Sequence, residues 1–171
     1  WSMAYSFSSV NVLVVESTTE MYRLFKSVLT MLSVPERNIH SAYSIDEAFA
    51  AFRKHKHDIV ITDWLDNPDS GIRLIKKIRT DPLSPNRFVP VIMTAGSGHL
   101  SRVLRSRDAG VSEYLMKPFA ANALATRITR VIESKRPFVV SEAYTGPDRR
   151  VRDAPFEGAD RRTAKLEVEL Q

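Results

Sequence analysis

Four polar side chains stand at the ends of short apolar runs in this sequence: Glu16, Asp63, Thr94 and Lys117. Carboxylates from different strands can together hold a hard divalent cation such as Mg²⁺, which prefers oxygen ligands. With an incoming phosphate screened in this way, an aspartate can attack phosphorus while a lysine neutralises the transferred oxygens. These residue types therefore indicate aspartyl-phosphate chemistry, provided that the fold brings them together.

The apolar runs themselves have the pattern of buried parallel strands, because they are short, nearly unbroken and rich in β-branched residues. The predicted strands are residues 10–15, 39–43, 58–62, 88–93 and 114–116. The second run is more polar than the others, which suits an edge of the sheet. The sequence therefore predicts five strands that are buried in a parallel sheet.

Helical patterns follow each of these runs. Apolar residues recur at three- and four-residue spacing, and Ser44-Ile45-Asp46-Glu47 has the Ser-x-x-Glu form of a helix capping box. Alternating strands and helices require right-handed crossovers and a parallel sheet that is covered on both faces. The sequence therefore predicts a doubly wound α/β fold, whose ligand site forms at the carboxyl ends of the strands.

Composition narrows the classes of protein that fit. The 171 residues provide for one domain and a short extension, and the absence of cysteine excludes disulfides and thiolate chemistry. The formal charge of +5 is dispersed, which predicts a mildly basic surface and no DNA-binding face. No apolar run approaches the length of a membrane span. His55 and His57 are predicted to form a solvated basic helix end and not a zinc site.

Four segments resemble the receiver domains of bacterial two-component response regulators, especially the single-domain chemotaxis regulators. They are Val12-Leu13-Val14-Val15-Glu16, Ile59-Val60-Ile61-Thr62-Asp63-Trp64, Pro90-Val91-Ile92-Met93-Thr94-Ala95 and Gly110-Val111-Ser112-Glu113-Tyr114-Leu115-Met116-Lys117-Pro118-Phe119. Each segment is modest alone, but four in this order are specific. The resemblance covers roughly residues 8–135 and implies a flavodoxin-like receiver fold with five parallel strands.

The resemblance also implies roles for individual residues. Asp63 is the expected phosphoacceptor, Lys117 the phosphate-binding lysine, Thr94 the switch hydroxyl and Tyr114 the aromatic switch residue. In such domains the two switch residues move together and alter the surface made by the fourth helix, fifth strand and fifth helix, where partners dock. A cis peptide bond before Pro118 is implied as well.

The metal site departs from the family pattern. Mg²⁺ is expected to be bound by Glu16, Asp63 and the backbone carbonyl of Leu65, but Ser17 stands where the family usually has a second adjacent acid. A neutral hydroxyl is a poorer ligand for Mg²⁺ than a carboxylate is. We therefore expect weaker metal binding unless Glu16 reaches inward or Asp66 contributes. Glu16 could instead simply favour the start of the following helix.

The residues after 135 contain a repeated unit with the pattern aromatic-x-Gly-x-Asp-Arg-Arg. Residues 144–150 carry its first copy and residues 156–162 its second, and the tail as a whole has little net charge. Aromatic and arginine side chains are frequent in protein interfaces, which makes the following residues candidate partner contacts. These candidates are Tyr144, Arg149, Arg150, Phe156, Arg161 and Arg162. A disordered linker is the alternative, and Leu166 and Val168 have the alternation of a strand that could add to a sheet edge in a dimer.

The sequence thus predicts an N-terminal segment over 1–7, with Met3 as a candidate native start, a receiver domain over 8–135 and an extended tail over 136–171. The predicted protein is a cytoplasmic, non-enzymatic phosphoacceptor that receives its phosphoryl group from a histidine kinase or phosphotransfer protein and acts on a downstream protein. A degenerate receiver that binds partners or dimerises without phosphorylation is the alternative. An aspartyl phosphatase ranks last, because Leu65 occupies the position of its second acid.

Overall fold

A computed structural model of the chain describes residues 7–65, 69–96, 99–133 and 137–149 and the backbone of 166–168. Five strands alternate with five α-helices, and three short strands follow. The strands are β1 (Val12–Val15), β2 (Ile39–Ala42), β3 (Ile59–Asp63), β4 (Val91–Ala95), β5 (Glu113–Met116), β6 (Phe138–Val140), β7 (Thr145–Pro147) and β8 (Leu166–Val168). The helices are α1 (Thr19–Met31), α2 (Ile45–Lys54), α3 (Ser70–Thr80), α4 (Leu100–Ala109) and α5 (Ala121–Glu133), with a 3-10 turn over Glu36–Asn38.

The first five strands form one parallel sheet in the order β2-β1-β3-β4-β5, which confirms the predicted doubly wound, flavodoxin-like receiver fold. Successive residues of each strand face opposite sides of this sheet. Leu13 and Val15 of β1 belong to the apolar cluster under α2 and α3, whereas Val12 and Val14 belong to the cluster under α1 and α5. Both faces are therefore buried, which explains why the strands read as unbroken apolar runs.

The predicted capping box starts α2. Ser44 is its N-cap, and its hydroxyl accepts a hydrogen bond from the backbone N–H of Glu47 at 3.2 Å. The Glu47 carboxylate in turn accepts from the N–H of Tyr43 at 2.9 Å, one residue before the N-cap. The box thus fixes the loop between β2 and α2 as well as the helix start.

The C-terminal region adds a small antiparallel sheet to the extended tail that the sequence predicts. Its strand order is β7-β6-β8, so that β6 pairs with a strand on each side. Phe138 of β6 is buried and its ring lies edge-on against that of Phe88, with 5.3 Å between the centroids. At the other end of the described chain, Phe7 is also buried and packs in the cluster under α1 and α5. Apolar packing thus extends beyond the strands and helices of the receiver fold at both ends.

Of the two histidines predicted to form a solvated helix end, His55 is exposed at the C-cap of α2, but His57 is not. His57 is buried, and its Nε2 lies 2.7 Å from Nδ1 of His40 at the start of β2. The ring of His55 stacks on that of His40 at 4.2 Å between centroids. The prediction was wrong for His57 because helical spacing says nothing about β2, which brings a third ring to the pair. No helix in the described part of the chain is long and apolar enough to span a membrane.

Candidate functional site

The four side chains at the strand ends meet at one edge of the sheet. Glu16 directly follows β1, Asp63 ends β3, Thr94 lies opposite Asp63 in β4, and Lys117 directly follows β5. Parallel strands bring their carboxyl ends to the same edge, so this convergence follows from the topology. The peptide bond between Lys117 and Pro118 is cis, which confirms that expectation.

Lys117 links the two carboxylates. Its Nζ lies 2.7 Å from Oδ1 of Asp63 and 3.1 Å from Oε2 of Glu16. The remaining oxygens accept backbone hydrogen bonds: Oε1 of Glu16 from Ser17 N–H at 3.0 Å, and Oδ2 of Asp63 from Leu65 N–H at 3.1 Å. Glu16 is only 1% exposed, whereas the side chain of Asp63 is 15% exposed. Asp63 is therefore the carboxylate that a ligand can reach.

The pKa values of this trio reflect burial and mutual charge. Burial raises the pKa of Glu16, and the negative charge of Asp63 raises it further, against the opposing effect of Lys117. Burial by itself would lower the pKa of Lys117, but hydrogen bonding and attraction from Asp63 and Glu16 raise it overall. Lys117 is thus held as an ammonium ion, which is the form that can neutralise phosphoryl oxygens.

Thr94 and Tyr114 lie beside this trio. The hydroxyl of Thr94 is buried and has no hydrogen-bond partner in the part of the chain that the structure describes. Buried hydroxyls normally have a partner, so an unsatisfied one next to Asp63 is a candidate donor to a ligand. Tyr114 of β5 pairs with Met93 of β4 and is half-buried. Burial raises the pKa of its hydroxyl, with Arg102 opposing the shift and Asp63 adding to it.

A close backbone contact holds the loop after β3. Gly71 donates its N–H to the carbonyl of Trp64 at 2.8 Å, and a Cβ at position 71 would collide with the carbonyl oxygen of Asp63. Leu65 has a left-handed backbone with φ of 53°, and its carbonyl accepts from Ser70 N–H at 2.9 Å. The Asp63 backbone is therefore packed directly against the start of α3. The sequence patterns did not predict this contact, although an isolated glycine after a strand is a signal for a close backbone approach.

The residue after Asp63 is the centre of a cluster that the sequence did not predict. Trp64 is buried, and its indole N–H donates to Oδ1 of Asp69 at 3.0 Å. Asp69 also forms an ion pair with Arg105 of α4 at 2.6 Å. Arg102 and Arg105 place their guanidinium carbons 4.7 and 5.4 Å from the Trp64 ring centroid. This cluster ties α4 to the loop that carries Asp63.

Two of the six candidate partner contacts in the tail contact residues of the chain itself, and one of them, Arg149, reaches the receiver domain. Arg149 donates to Asp108 at the end of α4 at 2.7 Å, and its guanidinium carbon lies 4.4 Å from the Tyr144 ring centroid. The Tyr144 hydroxyl donates to the carbonyl of Pro147 at 2.7 Å. The other four, Arg150, Phe156, Arg161 and Arg162, lie outside the described residues, as does Asp66.

Comparison with known proteins identifies the family. The model of the response regulator receiver domain matches residues 12–129, and the chain belongs to that family. Receiver domains are signalling phosphoacceptors and not enzymes in the usual sense. They work with histidine kinases or phosphotransfer proteins and with downstream targets.

Curated relatives agree with this assignment, and solved structures share the fold. The chain is 29% identical to chemotaxis protein CheY-3 of Vibrio cholerae over 125 residues, which are 73% of this chain and 93% of that protein. It is also 29% identical to chemotaxis protein CheY1 of Helicobacter pylori, over 72% of this chain and 97% of the relative. The chemotaxis response regulator CheY4 of Vibrio cholerae shares the fold with a TM-score of 0.63 at 21% identity, covering 71% of this chain and 98% of that one. A response regulator from Thermotoga maritima does so with a TM-score of 0.59 at 24% identity, covering 73% and 98%.

Receiver domains generally bind Mg²⁺ at this site, but the described residues of this chain fit the ion poorly. In the described part of the chain, the strand ends offer the ion two carboxylates, Glu16 and Asp63, and the neutral Ser17 follows Glu16 where a second acid is usual. Among the described residues, no group of three or more histidine or acidic side chains could hold a metal ion. The ligand set predicted for Mg²⁺ therefore stays a prediction.

Proposed function

We propose that this chain is a phosphorylation-driven signalling switch in which Asp63 accepts a phosphoryl group from a histidine kinase or phosphotransfer protein. The observation that carries the proposal is the contact of Lys117 Nζ with Asp63 Oδ1 at 2.7 Å, beside a carboxylate that a donor can reach. A lysine in this position neutralises charge that builds up on phosphoryl oxygens. We further propose that the protein acts in the cytoplasm and that its target is another protein.

The proposed transfer needs only a modest contribution from the protein. An Asp63 oxygen forms a bond to phosphorus while the bond from phosphorus to the donor's nitrogen or oxygen breaks, and the electron pair of that bond leaves with the donor. Lys117 remains protonated and shifts its contact from the carboxylate to the phosphoryl oxygens. The unsatisfied hydroxyl of Thr94 donates to the same oxygens, which gives this buried group a partner.

The proposed output follows from what surrounds Thr94. In receiver domains the switch hydroxyl and the aromatic switch residue move together, and we propose the same for Thr94 and Tyr114, so that the surface formed by α4, β5 and α5 changes. The cluster of Trp64 with Arg102 and Arg105 gives α4 a second connection to the phosphorylated loop. A charge added at Asp63 would thus reach α4 from two sides.

Acetyl phosphate provides the test. We expect intact-protein mass spectrometry to show one added phosphoryl group, with a change in Trp64 fluorescence, and expect Asp63→Asn to abolish both. Asp81→Asn is the matched control, because Asp81 lies at the far end of α3. A titration with Mg²⁺ measures how strongly transfer depends on the ion, which the site is predicted to bind weakly because Ser17 replaces the second acid. Modification that persists in Asp63→Asn would contradict the assignment of the phosphoacceptor.

A degenerate receiver is the second candidate, and Ser17 together with the fully hydrogen-bonded carboxylates favours it. In that case the chain binds partners or a second copy of itself without phosphorylation. Failure of both acetyl phosphate and beryllofluoride to act on the protein at high Mg²⁺ would support this candidate. Sedimentation of the unmodified protein over a concentration series would then test whether it dimerises.

A further inference from the structure

A cavity of about 890 Å³ opens beside the phosphoacceptor position, between the start of α2 and the outer face of α3. Asp63 and Ser17 line it on the side of the sheet, and Arg73 and Lys77 line it on the side of α3. A donor that approaches Asp63 from this side must pass the two cations. The cavity is large enough for a small phosphorylated molecule or for a side chain that carries a phosphoryl group.

The two cations lie on one face of α3 because they are four residues apart. Arg73 is exposed and donates one hydrogen bond, from Nη2 to Ser70 Oγ at 3.3 Å. Lys77 Nζ lies 4.5 Å above the ring of Phe49, which orients it without neutralising its charge. Neither cation forms an ion pair within the described part of the chain. Both charges are therefore available to an anion in the cavity.

The other groups around the cavity also accommodate an anion. Ser17 and Ser44 contribute hydroxyls, and Asp46 and Asp63 are the acids among the described residues of the lining. Asp46 lies in the first turn of α2, where the partial positive charge of the helix start offsets its own charge. An acid at position 17 would add a negative charge here, and this chain has a serine instead.

The charge of Lys117 is not enough to balance a phosphoryl group at Asp63. Within the described part of the chain, Lys117 is the cation that contacts both Asp63 and Glu16, so its one charge already faces two carboxylates. A phosphoryl group brings up to two more negative charges, and in a receiver domain a bound metal ion would offset them. The described residues fit that ion poorly. Arg73 and Lys77 of α3 line the same cavity as Asp63, so their charges can take over part of this role.

We propose that Arg73 and Lys77 form an anion-binding subsite that holds the oxygens of a phosphorylated donor beside Asp63. This inference rests on the proposed function for its biological meaning, but anion binding can be measured without any transfer. Guanidinium and ammonium groups bind phosphate oxygens through charge-assisted hydrogen bonds, and arginine can do so with two at once. The subsite is open to a small acyl phosphate and to a phosphohistidine side chain alike.

The test is a titration of the full chain with inorganic phosphate in the absence of Mg²⁺. Binding is monitored by two-dimensional amide NMR. We expect shifts at residues around Ser17, Asp63 and Arg73, and expect the double variant Arg73→Gln, Lys77→Gln to raise the dissociation constant about tenfold. Arg73→Gln alone, at an exposed position, should raise it about threefold and serves if the double variant does not fold. Lys76→Gln is the matched control, because Lys76 is an exposed lysine of α3 that does not line the cavity.

The result separates the subsite from the proposed function. Asp63→Asn, which cannot be phosphorylated, should bind phosphate at least as tightly as the unmodified chain because it loses a negative charge. Binding that depends on Arg73 and Lys77 without modification by acetyl phosphate would support the subsite and contradict the switch. Modification at Asp63 with phosphate binding that ignores both substitutions would support the switch and overturn the subsite. An equal loss of binding in Lys76→Gln would also overturn it, because net charge alone would then explain the effect.

Discussion

Gly110 and Gly146 pack backbone against backbone, with no room for a side chain at either position. A Cβ on Gly146 would lie 2.7 Å from the α-carbon of Gly110, and a Cβ on Gly110 would lie 2.6 Å from the carbonyl oxygen of Thr145. Gly110 also ends α4 in a left-handed conformation with φ of 102°, which favours glycine. The glycine of the first repeated unit thus anchors the tail to the end of α4, next to the turn that leads into β5.

This contact predicts that Gly146→Ala detaches the tail. The added methyl group must displace backbone, so we expect a loss of about 1–3 kcal/mol in the free energy of unfolding, measured by urea denaturation. Amide hydrogen exchange should rise in β6 and β7. Gly96→Ala is the control, because a Cβ at Gly96 meets nothing within 4 Å. Equal stability of both variants would show that the two glycines do not touch in solution.

Substitution of Arg79 is expected to lower the free energy of unfolding by more than substitution of Gly146. Arg79 is 1% exposed, and its guanidinium donates four hydrogen bonds to the carbonyls of Gly110, Arg87 and Val89. The Phe138 ring of the tail lies 4.9 Å from its Cζ. Arg79→Leu leaves these buried carbonyls without donors, which should lower the free energy of unfolding by roughly 3 kcal/mol.

Two companion variants sharpen that experiment. Arg79→Lys keeps the charge but cannot reproduce the forked geometry of the guanidinium, so it should recover only part of the loss. Arg107→Leu changes an exposed arginine on α4 and should alter stability by no more than about 0.5 kcal/mol. Full recovery in Arg79→Lys would mean that charge, and not the arrangement of donors, is what stabilises this position.

Lys117→Met tests the charge balance at the strand ends. Without the ammonium, Glu16 is a buried carboxylate that faces Asp63 with no counter-ion, which should cost about 3 kcal/mol of stability at neutral pH. A second change, Glu16→Gln, removes the buried charge and should restore much of the loss. The stability of both variants is measured by urea denaturation. Lys76→Met, at an exposed position of α3, is the control. A double variant no more stable than Lys117→Met would contradict this explanation.

The buried histidine predicts a pH dependence. Burial, together with His40 and His55, lowers the pKa of His57 from 6.5 to about 4. The unfolded chain therefore takes up this proton near pH 6.5, and the folded chain near pH 4. Stability should fall as the pH drops through this window, by up to about 3 kcal/mol.

Comparison with His57→Phe isolates that contribution. The difference in unfolding free energy between the two proteins should change between pH 7 and pH 4 in favour of the variant, because phenylalanine has no proton to take up. The exposed His99→Gln serves as the control and should track the unmodified chain. A constant difference across the window would mean that His57 is not shielded from protonation in solution.

Local patterns sufficed to predict much of the molecule. The apolar runs and helical spacings predicted all five strands of the parallel sheet, because strands buried on both faces must be apolar at every position. The predicted parallel sheet also placed four side chains at one edge, namely Glu16, Asp63, Thr94 and Lys117. Once the strands are parallel, their carboxyl ends share an edge whatever the details of packing. The predicted cis bond before Pro118 depended instead on the resemblance to receiver domains.

Contacts between distant segments were decided by the tertiary structure alone. Lys117 bonds to residues 54 and 101 positions away, and Arg79 bonds to Gly110 at a separation of 31. Other contacts also join segments that are distant in sequence. They are His40 with His57, Trp64 with the arginines of α4, and the tail with Gly110. Sequence spacing reports which residues share a strand or a helix face, because those periods are local. Which faces then meet depends on how complete elements pack, and no short pattern encodes that.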